Sequence, residues 1–232
     1  MSLGCNYYAT TVFIAYSRMR LVDKKVTLKV LKNVDTDPFF SISGKTAIVT
    51  GASSGLGVTF AQSLAERGAN VVLAARRKEK LSDLIKAMNS RGLSTTYVGC
   101  DVTKSNDVAN LFEETASKYG RVDVLVNNAG YIAEAGTVPE KITDDMFNKL
   151  FKSTKFGLWY CCREAGERML SEGKGGSIIN LSSVGGLNGM GGMPTAYQAS
   201  KGAVVTLTQN LAASWADRGV RVNAIAPGGF SK

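Results

Sequence analysis

The sequence contains no histidine. This absence excludes a Ser-His-Asp catalytic triad and an HExxH zinc site, because both require imidazole nitrogens. We predict no metal site. We also expect any proton transfer near neutral pH to use a Tyr, Lys, Cys, Asp or Glu side chain.

Cysteine is scarce, and the spacing of the cysteines does not indicate a disulfide framework. The chain has four, at Cys5, Cys100, Cys161 and Cys162, with no CxxC pair and no spacing typical of a disulfide framework. Cys161 and Cys162 are adjacent on a predicted helix, so their side chains diverge. This usage favours the reducing cytoplasm as the location of the protein.

Long apolar runs are also missing. A membrane-spanning helix needs about 18 or more consecutive apolar residues, and no run in the sequence approaches that length. We therefore expect no membrane span. The 232 residues, of which 44% are hydrophobic, fit one α/β domain with a sizeable core.

Positive charge predominates, since 28 Lys and Arg against 19 Asp and Glu give a formal net charge of +9. A basic chain can bind nucleic acid. Here the basic residues are scattered, with no long Lys/Arg block and no recognised nucleic-acid motif, so we expect no nucleic-acid partner. A basic surface also suits an anionic cofactor or substrate.

From Lys45 onward, strand-like and helix-like segments alternate. The strand-like segments are Thr46–Thr50, Asn70–Ala75, Thr95–Gly99, Val122–Val126, Ser177–Leu181 and Val220–Ile225. The helix-like segments are Val58–Arg67, Lys78–Ser90, Asp107–Tyr119, Asp144–Leu170 and Ala199–Ala216. Apolar strands alternating with helices favour a parallel sheet that is buried on both faces. We predict an α/β fold with a doubly wound parallel sheet and helices on both faces, in a single domain over residues 41–232.

Residues 1–40 do not fit this alternation. They are basic, with a short apolar patch at Thr11–Tyr16, and we interpret them as an N-terminal extension of uncertain order. An organelle-targeting or membrane-surface segment is the alternative. Against it, there is no clear small-residue cleavage site, and Asp23 interrupts the basic run.

The first strand leads into a glycine-rich turn in the segment TAIVTGASSGLG, from Thr46 to Gly57. Glycines permit positive φ and leave no Cβ between the backbone and a ligand. The following helix offers free N–H groups and a partial positive charge at its start. A glycine turn between strand and helix in the first βαβ unit therefore predicts a pyrophosphate site.

With its TGxxxGxG spacing, the sequence resembles the short-chain dehydrogenase/reductase family over about residues 42–230. The motifs that carry the resemblance are Thr50–Gly57, Asp101-Val102, Asn127-Asn128-Ala129-Gly130, a serine before Tyr197-x-x-x-Lys201, and Asn223 with Pro227-Gly228. The resemblance implies a Rossmann-like fold that binds NAD(H) or NADP(H). The cofactor-binding residues that we predict are Gly51, Ser53, Ser54, Gly55, Leu56, Gly57, Arg76, Arg77, Asp101, Val102, Asn128, Ala129, Gly130, Tyr197, Lys201, Pro227 and Gly228.

The end of the second strand bears on the choice of cofactor. An acidic residue there would hydrogen-bond the ribose 2′-hydroxyl of NAD, but this position is Ala75, followed by Arg76 and Arg77. No carboxylate repels a 2′-phosphate, and a guanidinium group can bind one bidentately. We expect NADP(H) to be favoured, with NAD(H) possible if the arginines are ordinary surface charges.

Tyr197 and Lys201 lie four residues apart on a predicted helix and share a face. A free phenol has a pKa of about 10, and a nearby ammonium group and the positive nicotinamide ring both favour phenolate. By resemblance, Tyr197 is the catalytic acid or base, Lys201 also holds the nicotinamide ribose, and Ser183 hydrogen-bonds the substrate oxygen. Ser183 lies fourteen positions before Tyr197, about one more than is usual in the family, so Ser182 is the alternative.

Two features depart from the family pattern. Family members often have an asparagine in the central helix that supports a water relay to the lysine. Here the matching residue before Gly157 is Thr154, and Asn148 is too far along the helix to replace it. We expect Thr154 to weaken this relay without abolishing it, because a backbone carbonyl can hold the water. The chain also ends at Lys232, so we expect a domain without the usual C-terminal substrate segment and with one sheet edge unpaired.

These observations predict an NAD(P)-dependent oxidoreductase that transfers hydride between nicotinamide and a carbonyl or secondary alcohol. The resemblance leaves 3-oxoacyl thioesters and sugars or polyols open as substrates. The loops Tyr131–Pro139 and Gly185–Pro194 are expected to shape the substrate pocket. The alternative is a non-catalytic nucleotide-binding or interaction protein with the same fold.

The resemblance also implies a homo-oligomer, a dimer or a tetramer, that uses the central helix and the helix of Tyr197 as interfaces. Leu207, Leu211 and Trp215 give that second helix an apolar stripe. Such a stripe can equally face the sheet of its own chain.

Overall fold

Seven strands form one sheet in the computed structural model, which describes residues 12–15, 41–131 and 136–228. The strands are β1 (Val12–Ala15), β2 (Thr46–Thr50), β3 (Asn70–Ala75), β4 (Thr95–Gly99), β5 (Val124–Asn127), β6 (Gly176–Leu181) and β7 (Val220–Pro227). The helices are α1 (Leu56–Glu66), α2 (Lys78–Asn89), α3 (Ser105–Tyr119), α4 (Asp144–Phe151), α5 (Gly157–Ser171) and α6 (Thr195–Trp215). A π-helical turn, Lys152–Phe156, joins α4 to α5.

The sheet has the order β1-β7-β6-β5-β2-β3-β4, and each described pairing is parallel. Successive side chains of a strand point to opposite faces. In β2, Ile48 packs in the core that includes α3, α5 and α6, whereas Ala47 and Val49 pack in the core that includes α1 and α2. Helices therefore cover both faces, which confirms the predicted doubly wound α/β fold.

The direction of winding reverses between β2 and β5. From β2 the chain proceeds to β3 and β4 on one side, and it then crosses to β5, β6 and β7 on the other side. Ligands of open α/β sheets bind at the carboxyl ends of the strands where this reversal occurs. The glycine turn follows β2, and Asn128–Gly130 follows β5, so both motifs meet at that point.

Helix α6 begins at Thr195, four residues before the predicted start. Pro194 immediately precedes it, and the fixed φ of proline suits the start of a helix. Leu211 of this helix is buried, and Leu207 and Trp215 pack against the same core. A Cβ on Gly166 of α5 would lie 2.5 Å from the Trp215 ring, so the apolar stripe of α6 faces its own domain.

One strand lies within the predicted N-terminal extension. Val12–Ala15 pairs with β7 in the register Val12 to Ala224 through Ala15 to Pro227. These four residues therefore join the sheet, and β7 has a partner on each side. The segment VFIA is apolar and includes β-branched residues, which favour strands. The remainder of residues 1–40, including Cys5, lies outside the described residues.

None of the helices in the described ranges is both long enough and apolar enough to cross a membrane.

Candidate active site

The glycine turn begins immediately after β2. The chain adopts positive φ at Gly51 (+67°) and at Gly55 (+59°), just before α1. A Cβ on Gly51 would lie 2.8 Å from the Ala129 Cα, and a Cβ on Gly57 would collide with the Gly51 carbonyl oxygen. Glycine is therefore required at these positions, because the turn bends at positive φ and packs closely against the segment after β5.

The motif after β5 holds this turn in place. The Asn128 side-chain amide donates to the carbonyl oxygens of Thr50, at 3.1 Å, and Gly51, at 3.3 Å. The backbone N–H groups of Asn128 and Ala129 each donate to Thr50 Oγ1 at 3.1 Å. Asn127 instead turns into the core, where its amide donates to Asn180 Oδ1 at 3.0 Å. The predicted Asn-Asn-Ala-Gly motif thus acts mainly as a support for the ends of two strands.

The first of two cavities lies between the glycine turn and the carboxyl ends of β3 and β4. Its volume is about 170 Å³. The lining residues are Gly51, Ser53, Ser54, Ala75, Arg76, Arg77, Cys100, Asp101, Val102, Thr103, Ala129, Gly130 and Tyr131. Nine predicted cofactor residues therefore meet here. Gly55 and Gly57 line neither cavity, and their role is to shape the turn.

A cationic group closes one end of this cavity. The Arg77 guanidinium donates to Ser53 Oγ at 2.8 Å and to Ser54 Oγ at 3.0 Å. Arg77 and Ser54 are exposed to solvent, and Ser53 is half-buried. A guanidinium group and two hydroxyl groups together offer several hydrogen-bond donors to an anion.

Asp101 also lines this cavity. Its Oδ1 accepts hydrogen bonds from the Thr103 backbone N–H at 3.0 Å and from the Thr103 hydroxyl at 2.8 Å. Burial alone would raise the pKa of Asp101, but these hydrogen bonds and the charges of Arg76 and Lys104 outweigh it and lower the pKa. The carboxylate therefore stays ionised and available as an acceptor.

The second cavity, of about 550 Å³, adjoins the first. Gly130 and Tyr131 line both cavities. The other lining residues are Leu56, Asn128, Leu181, Ser182, Ser183, Val184, Met190, Met193, Tyr197, Lys201, Pro227 and Gly228. The structure thus brings Ser183, Tyr197 and Lys201 together, and it places Leu56 with them rather than in the first cavity.

Lys201 is buried next to Tyr197, one helical turn away on α6. Its Nζ lies 5.7 Å from the centre of the Tyr197 ring and donates to the Leu181 carbonyl oxygen at 2.6 Å. Burial lowers the pKa of Lys201 from 10.5 to about 8. The amine is therefore an ammonium group at neutral pH, yet it can release a proton readily.

The two adjacent serines have different bonding. Ser182 Oγ donates to the Lys201 backbone carbonyl at 2.8 Å, so its hydroxyl hydrogen is occupied. Ser183 Oγ accepts from the Gly185 backbone N–H at 3.2 Å. No acceptor for the Ser183 hydroxyl hydrogen is found among the residues that the structure describes. Ser183 can therefore donate to a substrate oxygen, and this bonding favours it over Ser182.

Thr154 lies in the middle of the π-helical turn before α5. Its side chain is only 2% exposed. Its Oγ1 has no hydrogen-bond partner within the described part of the chain. Because buried hydroxyl groups are normally bonded, such an atom marks a place where a small polar ligand such as water can bind.

Sequence reasoning did not identify several residues of the second cavity. Tyr131, Met190 and Met193 line it, although the loops that contain them had been expected to shape a pocket. Residues 132–135 of the first loop lie outside the described residues. Gln198, which holds Met190 and Met193, was also missed. A polar residue on a helix or a methionine in a glycine-rich loop carries no motif that could have revealed these positions.

The residues of the two cavities fit a dinucleotide. A Cβ at Gly51 or Gly57 would collide with Asn128, Ala129 or the Gly51 carbonyl oxygen and so deform the glycine turn, and a glycine turn at a helix start suits a pyrophosphate. Arg77 supplies positive charge at one end and Lys201 at the other. A Cβ on Gly130 would lie 3.8 Å from Lys201 Nζ, so glycine keeps the approach to the lysine open.

Comparisons with known proteins agree with this geometry. The family model for short chain dehydrogenases matches residues 45–231. A 3β-hydroxysteroid dehydrogenase of Mediterraneibacter gnavus is 40% identical over 185 residues, which cover 80% of this chain and 66% of that protein. A 3-oxoacyl-[acyl-carrier-protein] reductase of Staphylococcus aureus is 37% identical over 187 residues, which cover 79% of this chain and 74% of that protein.

Solved structures show the same likeness. A variant of the actinorhodin polyketide ketoreductase, solved with NADPH, matches with a TM-score of 0.76 at 32% identity. The match covers 81% of this chain and 71% of that one. The chain thus spans about two thirds to three quarters of the length of these three proteins. From the family match, the sequence identities and the shared fold, we conclude that the chain belongs to the short-chain dehydrogenase/reductase family of NAD(P)-dependent oxidoreductases.

Proposed function

We propose that this chain uses NADP(H) to interconvert an apolar ketone and the corresponding secondary alcohol. The observation that carries the proposal is that Ser183, Tyr197 and Lys201 line one largely apolar cavity beside the glycine turn. The bound cofactor would supply or accept the hydride. The side chains of this protein would bind the substrate and move the proton.

Tyr197 is the proton-transfer group in this proposal. During ketone reduction its hydroxyl gives a proton to the substrate oxygen, and during alcohol oxidation it takes that proton back. The Lys201 ammonium group near its ring stabilises the negative charge of the phenolate. Ser183 donates its hydroxyl hydrogen to the same substrate oxygen and so orients the substrate.

Thr154 is proposed to support the resupply of this proton. A phenolate must regain its proton from solvent, and Lys201 with its lowered pKa is a suitable intermediate donor. The buried and unbonded Oγ1 of Thr154 supports a water site at the π-helical turn. Such a water would need two or more polar partners to remain there.

NADP(H) is proposed as the preferred cofactor because of Arg77. Its guanidinium group and the Ser53 and Ser54 hydroxyls form one cluster of donors at the edge of the first cavity. A 2′-phosphate can accept hydrogen bonds from all of them. The only acidic residue that lines this cavity within the described chain is Asp101.

The lining of the second cavity favours an apolar substrate. Leu56, Val184, Met190, Met193 and Pro227 all line it. Lys201 is its only charged lining residue within the described chain. A sugar or polyol needs many hydrogen-bond partners, and these five apolar side chains offer no strong donor or acceptor. Two relatives are named for a hydroxysteroid and for a 3-oxoacyl group, so an apolar ring system or an acyl chain fits the proposal better than a sugar.

The proposal is tested by following the absorbance of NADPH with 2-decalone as the ketone. We expect Tyr197→Phe to lower kcat about a thousandfold, since general acid catalysis contributes roughly 10²–10⁴-fold. The matched control is Tyr119→Phe at the end of α3, outside both cavities. NADPH binding is measured separately from the fluorescence of Trp159 and Trp215.

Equal activity of the wild type and Tyr197→Phe would overturn the catalytic assignment. A wild-type chain that binds NADPH tightly but turns over neither ketones nor alcohols would support the non-catalytic nucleotide-binding alternative.

A homo-oligomer and a cytoplasmic location complete the proposal. Phe156, just before α5, and Trp159, in its first turn, are 45% and 37% exposed, and exposed apolar side chains that lie together mark interaction sites. This supports an interface through the central helix. Light scattering should show a dimer or larger, and Phe156→Glu should shift it towards the monomer. The three described cysteines are all unpaired, which suits a reducing cytoplasm.

A further inference from the structure

The loop between Ser183 and α6 contains a tight turn at residues 190–193. The Met193 backbone N–H donates to the Met190 carbonyl oxygen at 3.3 Å, and Gly192 has a φ of +79°. Five glycines lie between positions 185 and 192. Nothing lies within 4 Å of a Cβ placed on Gly189 or Gly191. Such a backbone has high conformational entropy and few contacts of its own, so it needs an external restraint to hold one shape.

Gln198 supplies that restraint. Its Oε1 accepts from the Met190 backbone N–H at 2.7 Å. Its Nε2 donates to the Met190 carbonyl oxygen at 3.1 Å and to the Met193 carbonyl oxygen at 3.2 Å. One side-chain amide thus satisfies both backbone groups of Met190 and one of Met193. Gln198 directly follows Tyr197, so the turn is tied to the helical turn that carries the proposed acid.

Packing reinforces these hydrogen bonds. A Cβ on Gly185 would lie 3.2 Å from Gln198 Cγ and 3.2 Å from Met193 Cε. The stem of Gln198 and the tip of Met193 therefore lie side by side over Gly185. The Gly185 backbone N–H in turn donates to Ser183 Oγ. Gln198 thus connects the substrate-orienting serine, the methionine turn and the helix of Tyr197.

We propose that Gln198 is a positioning residue that holds Met190 and Met193 as a wall of the substrate cavity and so sets selectivity for large apolar substrates. This inference rests on the proposed function, because it concerns the same cavity. Both methionines line that cavity, and Met190 is 43% exposed. Methionine side chains adapt to the shape of a ligand, whereas the hydrogen bonds from Gln198 hold the backbone of Met190 and Met193 in position.

The effect of releasing the methionine turn on substrate binding depends on the size of the substrate. A small ketone reaches Ser183 and Tyr197 without using the methionine wall. A larger ring system gains affinity from the burial of its CH₂ groups against that wall. Releasing the turn should therefore weaken the binding of large ketones much more than that of small ones.

Two variants separate hydrogen bonding from packing. Gln198→Leu keeps the volume of the side chain but removes all three hydrogen bonds. Gln198→Glu keeps the stem and an acceptor for the Met190 N–H but places a carboxylate against two carbonyl oxygens. If the hydrogen bonds of Gln198, rather than the packing of its side chain, hold the methionine turn, both variants should release the turn to a similar degree. The matched control is Gln209→Leu, at an exposed position of the same helix.

The first measurement is NMR of the full chain with bound NADPH and ¹³C-methyl methionine. The sequence has seven methionines, and Met190→Leu and Met193→Leu assign the two signals of interest. We expect both signals to sharpen and move towards random-coil positions in the two Gln198 variants but not in Gln209→Leu. This measurement needs no turnover. Unchanged Met190 and Met193 signals would show that Gln198 does not hold the turn and would overturn the proposal.

The second measurement is the affinity of each chain for 2-decalone and for cyclohexanone, which lacks the second ring. We expect the affinity ratio between them to fall about tenfold in both Gln198 variants, since burial of a few CH₂ groups is lost. An unchanged ratio, or a wild type that binds neither ketone, would overturn the assignment of this turn as a substrate wall. A wild type that binds both ketones but never oxidises NADPH would refute the proposed function, while the ratio would still decide this inference.

Discussion

The two cavities of the candidate site depend on different parts of the chain. The first is built around a backbone turn, where the glycines at 51 and 57 admit no side chain. The second is formed by side chains, with Tyr197, Lys201 and two methionines in its wall. A backbone-built site demands particular residue types at particular positions. A side-chain wall accepts many sequences, and it depends on the packing beneath it.

The support beneath the second cavity is a buried polar network. Asn180 is fully buried at the end of β6, where its Oδ1 accepts from Asn127 and its Nδ2 donates to Thr208 Oγ1 at 2.9 Å. The next residue, Leu181, offers its carbonyl oxygen to Lys201. The network therefore fixes the strand end on which the lysine rests.

The largest expected effect comes from removing the centre of this network. We expect Asn180→Ala to lower the free energy of unfolding by about 4 kcal/mol, because it removes two buried side-chain hydrogen bonds at about 1–3 kcal/mol each. Asn127 then keeps only the Cys162 thiol as a partner of its amide, and Thr208 keeps the Val204 carbonyl oxygen. Urea unfolding followed by tryptophan fluorescence measures the change. The matched control is Asn210→Ala, at an exposed position of α6, with an expected change within about 0.5 kcal/mol. Equal stability of the two variants would mean that the second cavity does not depend on buried side-chain hydrogen bonds.

The contrast between a site built on a backbone turn and a site built from side chains explains what the sequence could predict. The alternation of strands and helices and the TGxxxGxG turn were enough for the fold and the first cavity, because backbone geometry restricts residue choice there. The spacing of Tyr197 and Lys201 identified the proposed proton-transfer pair. The choice between Ser182 and Ser183 depended on hydrogen bonds that become visible only in the structure.

Other features could not be predicted because they depend on distant contacts. Strand β1 has only four residues, and its pairing with β7 depends on a neighbour about two hundred residues away. The π-helical turn at Thr154 interrupts a segment whose helical periodicity looks continuous. Gln198 acquires its role only when the methionine turn folds back onto α6.

The second prediction concerns the charge in the second cavity. Below about pH 8, Lys201 is charged in both the folded and the unfolded chain, so the penalty for burying the ammonium group is fully present. Between about pH 8 and 10.5 the folded chain has lost this proton while the unfolded chain still holds it. Unfolding then takes up a proton, so raising the pH stabilises the fold. We expect the contribution of Lys201 to reach on the order of 3 kcal/mol across this window.

Lys201→Met isolates that contribution, because this variant has no amine at position 201 that could take up a proton on unfolding. The difference between the wild type and Lys201→Met is measured by urea unfolding at several pH values from 7 to 10.5. Lys86→Met, at an exposed position of α2, should retain the pH dependence of the wild type. Parallel curves for the wild type and Lys201→Met would contradict a buried ammonium group.

The third prediction crowds the glycine turn beside the first cavity. In Gly57→Ala the new Cβ meets the Gly51 carbonyl oxygen and the Asn128 side chain. We expect this crowding to lower the free energy of unfolding by about 2 kcal/mol and to abolish measurable NADPH binding. Gly189→Ala is the control, since its Cβ meets nothing within 4 Å, and it should retain both properties. Normal NADPH binding by Gly57→Ala would show that the turn does not form the nucleotide site.

The smallest expected effect concerns Arg77, the place where the backbone-built cavity depends on a side chain. If its guanidinium group binds a 2′-phosphate, Arg77→Ala should lower the ratio of NADPH to NADH affinity about tenfold. The affinity for NADH should change little, because NADH lacks that phosphate. Fluorescence titration with each nucleotide measures both values. Arg91→Ala is the matched control, because Arg91 pairs with Glu66 and lines neither cavity.

The affinities of Arg77→Ala for NADPH and for NADH together distinguish two roles of Arg77. Its hydrogen bonds to Ser53 and Ser54 also brace the glycine turn, and a bracing role would weaken NADPH and NADH binding equally. A loss of affinity confined to NADPH would instead mean that the exposed Arg77 side chain binds the phosphate, while the turn keeps its shape through its glycines and Asn128. In that case Arg77 determines the preference between NADPH and NADH, and the glycine turn binds the part that both nucleotides share. A single substitution at position 77 would then change the preferred nucleotide without disturbing the cavity that contains Tyr197.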